Sequence, residues 1–366
     1  MANTVFITGA TGNIGGKIVT RLLEDDSLTR LILLIRGRCN AEAGQRIEKV
    51  LKILSPKIDL PKVGRRIKVV CGDITLNELG LPKPIWRNLS SEITHIIHAA
   101  ATTQFQLPLE CARLVNYTGT KNVMSFARSV QETGNLKGIA YISTAFVWGD
   151  REGTIYEDEL ATQPRFSNSY EQTKWESERF VRTLMQDLPL TIFRPSIVVG
   201  DSQTGRTITF NTLYTPLKYI HAGLLTTLPC PPDNPLDIVP LDFVSESILH
   251  IFMGNDQGNG KTYHIVAGMT KEVTVGEIVD FAIHYFNGGI AQIKFSVSHP
   301  ANLEKVSQLI KVYEPYICAA RHFDNNNTLQ ALKGTTISVP NLSSYFSHLM
   351  EYCFSTDWGK RLKHAA

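Results

Sequence analysis

Tyr170 and Lys174 stand four residues apart in the stretch Ser169-Tyr170-Glu171-Gln172-Thr173-Lys174-Trp175. In a helix that spacing puts both side chains on one face. A lysine beside a phenol favours the phenolate and lowers its pKa. The pair then forms a proton relay suited to a carbonyl being reduced or an alcohol being oxidised. Thr144 ends the apolar run that starts at Ile139 and is placed to donate a hydrogen bond to the same substrate oxygen. Ser143, one residue earlier on a strand, faces the other way. Asn116 falls within a helix expected over residues 111–132, where a buried amide must find partners, and would hold a water or backbone group that completes the relay. Thr144, Tyr170, Lys174 and Asn116 are therefore the candidate catalytic residues.

Such a relay needs a hydride carrier, and the first seventeen residues offer a place for one. Thr4 to Thr8 is a short apolar strand, followed without a spacer by Gly9-Ala10-Thr11-Gly12-Asn13-Ile14-Gly15. Glycines at 9, 12 and 15 serve, in order, a tight turn, a close backbone approach to a diphosphate, and packing of the next helix near the sheet. The helix expected from Ile14 to Glu24 directs its free N–H groups and its positive end at the phosphates. Thr11, Asn13 and Ile14 belong to the same loop. The next strand, Leu31 to Ile35, ends in Arg36 where an NAD-preferring site would usually carry an acid. A guanidinium there suits the extra phosphate of NADP, and Arg46 on the following helix supplies a second cation. The plainer reading leaves both arginines on a solvated face. Asp73 and Ile74 follow a third strand, Arg66 to Cys71, with the Asp placed to accept from an adenine amine. The small residues Ala99, Ala100 and Ala101, after the strand from His95, let a cofactor lie flat on the backbone. His95 and His98 are three apart on that strand, face opposite ways and make no ligand pair.

Strands and helices alternate through residue 200, which predicts an α/β fold: a Rossmann-type doubly wound parallel sheet with helices on both faces. Residues 1–200 are expected to form most of the nucleotide-binding domain, with segments around 238–270 returning to it. Residues 201–237 and 271–366 are expected to form a smaller C-terminal substrate-binding part with a lid. Leu213 to Leu225 and Asp242 to Phe252 read as helices, Thr262 to Val266 as a core strand, and Ile293 to Val297 as a short strand. Thr274 with Glu277 reads as the capping box of a helix from Val275 to Tyr285. The proline-rich segment Thr226 to Pro240 reads as a rigid loop beside a pocket. Phe210, Tyr214, Tyr219, Leu224 and Leu225 either line an acyl pocket or form a helix-face core.

Gly9, Gly12, Gly15, Asp73, Thr144, Tyr170 and Lys174 together resemble the extended short-chain dehydrogenases/reductases, over about residues 3–270. Thr8 to Gly12, Arg36, Arg46, Tyr170 to Trp175 and Arg194-Pro195-Ser196-Ile197-Val198-Val199-Gly200-Asp201-Ser202-Gln203-Thr204-Gly205 look like the thioester reductase branch. That branch holds the terminal reductase domains of peptide and polyketide synthases, carboxylic acid reductases and fatty acyl reductases. The resemblance implies NADPH as cofactor, contacted also by Tyr170, Lys174, Pro195 and Ser196. It implies reduction of an acyl thioester to an aldehyde, sometimes to the alcohol, by a monomer or homodimer. With no adenylation or carrier segment in the sequence, the thioester would come from a separate acyl carrier protein or an acyl-CoA. The rival is a stand-alone NADP-dependent ketone or alcohol oxidoreductase or epimerase that tailors a lipophilic natural product.

At 366 residues and 43% hydrophobic composition the chain can bury a large core. A net charge of +3 is too small to imply nucleic acid. No apolar run is long enough for a spanning helix. The first strand begins almost at once and leaves no room for a signal peptide. Six scattered cysteines form no CxxC pair and no metal constellation, as in a reduced cytoplasmic protein. No G-x-S-x-G elbow marks a hydrolase.

Overall fold

The computed structural model describes residues 3–25, 29–210, 212–254, 260–286, 292–296 and 310–364. Seven strands form the central sheet: β1 (Thr4–Thr8), β2 (Arg30–Ile35), β3 (Ile67–Cys71), β4 (His95–His98), β5 (Gly138–Ile142), β6 (Leu190–Pro195) and β7 (Thr262–Ile265). Their order is β3-β2-β1-β4-β5-β6-β7, and every pairing is parallel. Strands buried on both faces need unbroken apolar sequence, which explains Val5-Phe6-Ile7 and Leu31 to Ile35. Alternate residues go to opposite sides. Val5, Ile7, Leu31, Leu33 and Ile97 meet the helices α1 (Asn13–Glu24), α2 (Asn40–Leu54) and one spanning Leu241–Met253. Phe6, Ile32, Leu34, Ile96 and Tyr141 meet α3 (Lys83–Glu92), a long helix α4 over residues 109–132, and α5 (Ser169–Arg182). His95 and His98 obey the same rule. His95 lies edge-on to Phe252 of the first layer, and His98 packs near Tyr141 of the second.

The helix α4 begins at Leu109, two residues before its expected start, and is not regular. Residues Leu114–Thr118 form a π turn within it. Such widened turns recur at functional sites, and this one carries Asn116.

The strand order turns outward from β1 to β2 on one side and to β4 on the other, so a crevice opens at the carboxyl ends of these strands. The rest of the chain builds over that crevice. It includes α6 (Tyr214–His221), α8 (Val275–Tyr285) and α9 (Phe346–Ser355), while α7, the Leu241–Met253 helix, returns to the sheet face beside α1. The Thr274–Glu277 capping box is present in both directions. The proline-rich segment is more ordered than a loop. It forms three short strands, Thr227–Leu228, Pro235–Leu236 and Ile238–Pro240, which pair with Lys294–Phe295, Val273–Thr274 and Ile197–Val199. Pro235 opens its strand and Pro240 closes another, positions where a missing N–H is tolerated. The expected strand at Ile293 to Val297 is reduced to Lys294–Phe295, and Val297 lies outside the described residues.

The chain also hooks back onto the sheet edge through Glu157. Its carboxylate accepts from the His264 amide (2.8 Å), from the Asn327 amide and from the Thr328 hydroxyl (3.0 Å). Burial outweighs these donors and pushes its pKa from 4.5 up to about 7. A carboxyl that holds its proton more tightly when folded gives stability that is complete below about 4.5 and is lost as pH rises through about 7. Urea unfolding should show the wild type losing about 1–3 kcal/mol more than Glu157→Gln between about pH 5 and 8. Parallel declines in the two proteins would remove Glu157 as the cause.

Candidate active site

The turn after β1 sets the crevice floor. Gly9 has φ +77°, and a Cβ there would lie 2.5 Å from the Ala100 nitrogen. A Cβ on Gly15 would lie 2.3 Å from the Gly9 oxygen. Loop, strand exit and helix therefore touch through bare backbone. Gly12 differs, since a Cβ on it would meet only the Gly9 oxygen, at an ordinary 3.4 Å. The chain itself leaves the space above Gly12 open. The α1 N-cap is Gly12, with no side chain on its amides and no acid in the first turn. Free amides, a bare Cα and open space fit a dinucleotide diphosphate. Gly12, Ile14, Gly15, Ala99, Ala101, Tyr170, Lys174, Pro195 and Ser196 line one pocket of about 330 Å³.

Other expected cofactor residues surround it unequally. The Asn13 side chain is committed to the segment above the loop, accepting from the Ile208 amide (2.7 Å) and donating to the Thr209 hydroxyl (2.8 Å). Thr11 faces a neighbouring, larger cavity. Arg36 is exposed beyond β2, and Arg46 reaches across from α2 to donate to the Arg36 carbonyl. The Asp73 carboxylate accepts from the Thr75 amide (2.9 Å), and Ile74 is buried. The Ala100 amide lies 3.4 Å from the Thr8 hydroxyl.

The catalytic candidates converge from two elements. Helix α5 starts where the Asn168 side chain accepts from the Glu171 amide (2.9 Å). Thr144 sits past the end of β5 and caps the turn Ala145–Trp148. Its hydroxyl accepts from the Phe146 amide (3.3 Å) and lies near enough to the Tyr170 phenol to favour the phenolate. Burial pushes the phenol up to about 12; Thr144 pulls it down and Glu171 adds to the rise. The expected lowering by Lys174 is not what this arrangement gives. The Lys174 ammonium donates instead to the Tyr141 hydroxyl (3.0 Å) and the Ile142 carbonyl (2.7 Å), and lies over the Tyr141 ring. Burial pushes it down to about 7, against the pull of Glu178. Ser143 also borders the pocket, but its hydroxyl is committed to the buried Glu178, to which it donates (2.6 Å). Asn116 is buried and fully engaged. It accepts from the Thr102 amide (2.8 Å) and donates to the Thr102 carbonyl (3.1 Å) and the Thr173 hydroxyl (2.9 Å). It ties the β4 exit to α5.

Sequence reading missed Tyr141, Glu178 and Tyr316. Glu178 had a signal, being four residues past Lys174, while Arg194 in an apolar strand demanded an acid. Tyr141 looked like one more strand residue. Tyr316 sits in a stretch without pattern, yet it lines the pocket and stacks on Phe105 (5.3 Å, 15°), whose ring lies 5.9 Å from that of Tyr170.

Beside this pocket lies a cavity of about 1100 Å³, lined by Arg46, Lys49, Gln104, Phe210, Tyr219 and Tyr313 among others. The two share Thr103, Phe105 and Thr209 as walls. Of the apolar and aromatic residues expected at a pocket, Phe210 and Tyr219 line this cavity, Tyr214 and Leu225 are core, and Leu224 is exposed. Among the described residues no cluster could hold a metal ion, and no helix is long and apolar enough to cross a membrane.

Several known proteins resemble this chain. A fatty acyl-CoA reductase of Drosophila melanogaster (wat) is 28% identical over 276 residues, covering 67% of this chain and 53% of that protein. An aldehyde reductase of Aspergillus flavus (lnbA) is 26% identical over 370 residues, covering 95% of this chain but 35% of its own. The chain thus spans about half or less of the length of these relatives. The crystal structure of the terminal R domain from the myxalamid PKS-NRPS pathway superposes with a TM-score of 0.83 at 27% identity, covering 98% of this chain and 92% of that one. A UDP-glucuronic acid 4-epimerase from Bacillus cereus, in complex with NAD, shares the fold at a TM-score of 0.69 and 16% identity. The model of the Male sterility protein family matches residues 7–248, more than half of the chain. With the parallel sheet and the open glycine turn, that match shows that the chain belongs to the Male sterility protein family of NAD(P)-binding domains.

Proposed function

We propose that this chain is an NADPH-dependent reductase that converts an acyl thioester into an aldehyde and a free thiol, with the alcohol as the product of a second round. The observation that carries the reading is the pairing of two spaces. A pocket holds Thr144, Tyr170 and Lys174 beside the glycine turn, and a wide cavity opens from it: its Thr11 and Arg46 end goes to the nucleotide, and the remainder, past Gln104, Tyr219 and Tyr313, to a pantetheine arm. A free-ketone enzyme would need only the smaller pocket. The relatives' names, a fatty acyl-CoA reductase and a synthase R domain, support the same direction.

NADPH supplies the hydride when bound along the glycine turn. Gly9, Gly12 and Gly15 admit its diphosphate, with Thr11, Asn13 and Ile14 contributing loop backbone. Arg36 and Arg46 present two guanidiniums, joined at the Arg36 carbonyl, to the ribose phosphate. Asp73, Ile74 and Ala99 to Ala101 border the adenine and ribose path, and Pro195 with Ser196 borders the far end. The hydroxyls of Thr144 and Tyr170, in the same pocket, are assigned to one substrate oxygen. They stabilise the negative charge that forms there; that charge returns to the carbon as the C–S bond breaks, the departing thiolate takes a proton from solvent, and in the second round the Tyr170 proton goes to the oxygen to give the alcohol. Lys174 sits behind them, donating to the Tyr141 hydroxyl and the Ile142 carbonyl, and Asn116 fixes the relative position of α5 and the β4 exit. A separate carrier protein or CoA delivers the acyl group through the wide cavity.

The deciding experiment follows NADPH oxidation, with product detection, against acyl-CoAs, acyl carrier protein thioesters, and free aldehydes, ketones and quinone-like lipophiles. Aldehyde or alcohol from a thioester is expected; activity confined to free carbonyls would overturn the reading. Tyr170→Phe should lower turnover by about 10²- to 10⁴-fold while NADPH affinity changes little. Turnover that survives this change would rule out the proton-donor role. Replacing Arg36 and Arg46 by Ala should weaken NADPH binding by about 10- to 100-fold and leave NADH nearly untouched, as for loss of charge-assisted hydrogen bonds. Equal losses for both nucleotides would mean that the arginines do not read the phosphate.

A further inference from the structure

Beyond Tyr316 lies a third space. It is a narrow slot between α6 and α8, and its surface carries no polar atom. Ile197, Thr212 and Tyr316 are walls of both this slot and the catalytic pocket. The wide cavity leaves the pocket through different walls, at Thr103, Phe105 and Thr209. A substrate carbonyl held at Thr144 and Tyr170 therefore has two exits, one wide with a cationic rim, the other narrow and wholly apolar.

The slot is not ordinary core. Protein interiors leave few voids larger than a water, and this one runs along a seam between two hydrophobic clusters. Leu217 and Ile278 belong to one cluster, Ile220 and Val279 to the other. Tyr316 presents only its ring to the slot, because its hydroxyl accepts from Asn168 (2.9 Å) and hydrogen-bonds Glu171. At the junction Thr212 has φ +48°, which a β-branched residue adopts only where its surroundings enforce it. Apolar cavities of this kind stay dry and take apolar guests.

We propose that the slot is the subsite for the acyl tail, and that the group reduced is a short, wholly aliphatic acyl chain. The inference rests on the thioester reading for the position of the carbonyl. The slot offers about 40 Å³ to the centres of water-sized groups. By the same measure the catalytic pocket has about 330 Å³ and the wide cavity about 1100 Å³, so the tail that fits the slot is short. A long fatty chain overfills it. An amino, hydroxyl or carboxyl group on the tail is rejected, since a polar atom there finds no partner.

The test uses unreactive S-alkyl pantetheine thioethers, from methyl to dodecyl, titrated calorimetrically into the full chain, alongside NADPH oxidation with the matching acyl thioesters. Affinity should rise by about three- to fourfold per added methylene until the slot is full, then level off or fall well before dodecyl. Leu217→Ala should move that break to longer chains, and Ile278→Phe to shorter ones. Val279→Leu provides a milder filling if Ile278→Phe does not fold. A break that none of these variants moves, or an affinity that climbs steadily to dodecyl, overturns the proposal. A break that moves as expected without any NADPH oxidation would keep the slot and remove the thioester reading.

Discussion

The buried ion pair between Arg194 and Glu178 holds the working parts of this molecule in register. Arg194 is fully buried, and its guanidinium meets the Glu178 carboxylate through Nε (3.0 Å) and Nη2 (2.5 Å). The same guanidinium donates to the Glu157 and Glu159 carbonyls, and the same carboxylate accepts from Ser143 and Arg182. One contact thus joins β6, the end of β5, α5 and the segment that hooks onto β7. A buried pair is tolerable only when its remaining donors and acceptors are matched, and removing one partner is severe. Burial alone would raise the Glu178 pKa, but Arg194 and its neighbours hold it down to about 2, so the carboxylate stays charged across the working range. Tyr170, Lys174 and Glu178 recur at intervals of four. Anchoring Glu178 therefore fixes where the whole face of α5 points.

The opposite wall depends on a different constraint, the close approach of backbone to backbone at Gly9 and Gly15. That approach brings the start of α1 to the sheet edge, and the 201–210 segment is then latched over it. Lys17 meets Asp201 in a buried ion pair (2.7 Å), and Asn13 holds residues 207–209. The segment leads straight into Thr212 and α6. One wall of the apolar slot is thus tied, through the 201–210 segment, to the glycine turn after β1.

Much of this was legible in the sequence because it rests on local signals. Continuous apolar strands, the glycine spacing, the Thr274 capping box and the four-residue interval of Tyr170 and Lys174 each come from backbone geometry within a few residues. The rest depends on long-range contacts. Nothing near Asn116 shows that its amide would be taken up by Thr102 and Thr173. The prolines between Thr226 and Pro240 read as a loop until their distant partner strands are known. Of the apolar residues from Phe210 to Leu225, only packing separates cavity wall from core. Tyr316 carries no signal at all, because its place follows from a stack on Phe105, far away in the chain.

Lys174 shows why proximity of types is not yet a mechanism. Its ammonium sits between two neutral acceptors, and the nearest carboxylate, Glu178, is already matched by Arg194 and Arg182. Glu178 therefore favours the charged lysine less than burial disfavours it, and the group falls to about 7. The Tyr170 phenol, meanwhile, has only the neutral Thr144 hydroxyl to oppose burial. Each group is pushed toward its uncharged form by the same cause, removal from water. A neutral phenol is a proton donor, and a lysine poised near neutrality responds to any charge that enters the pocket. Both groups thus start from their uncharged forms, the phenol with its proton in place.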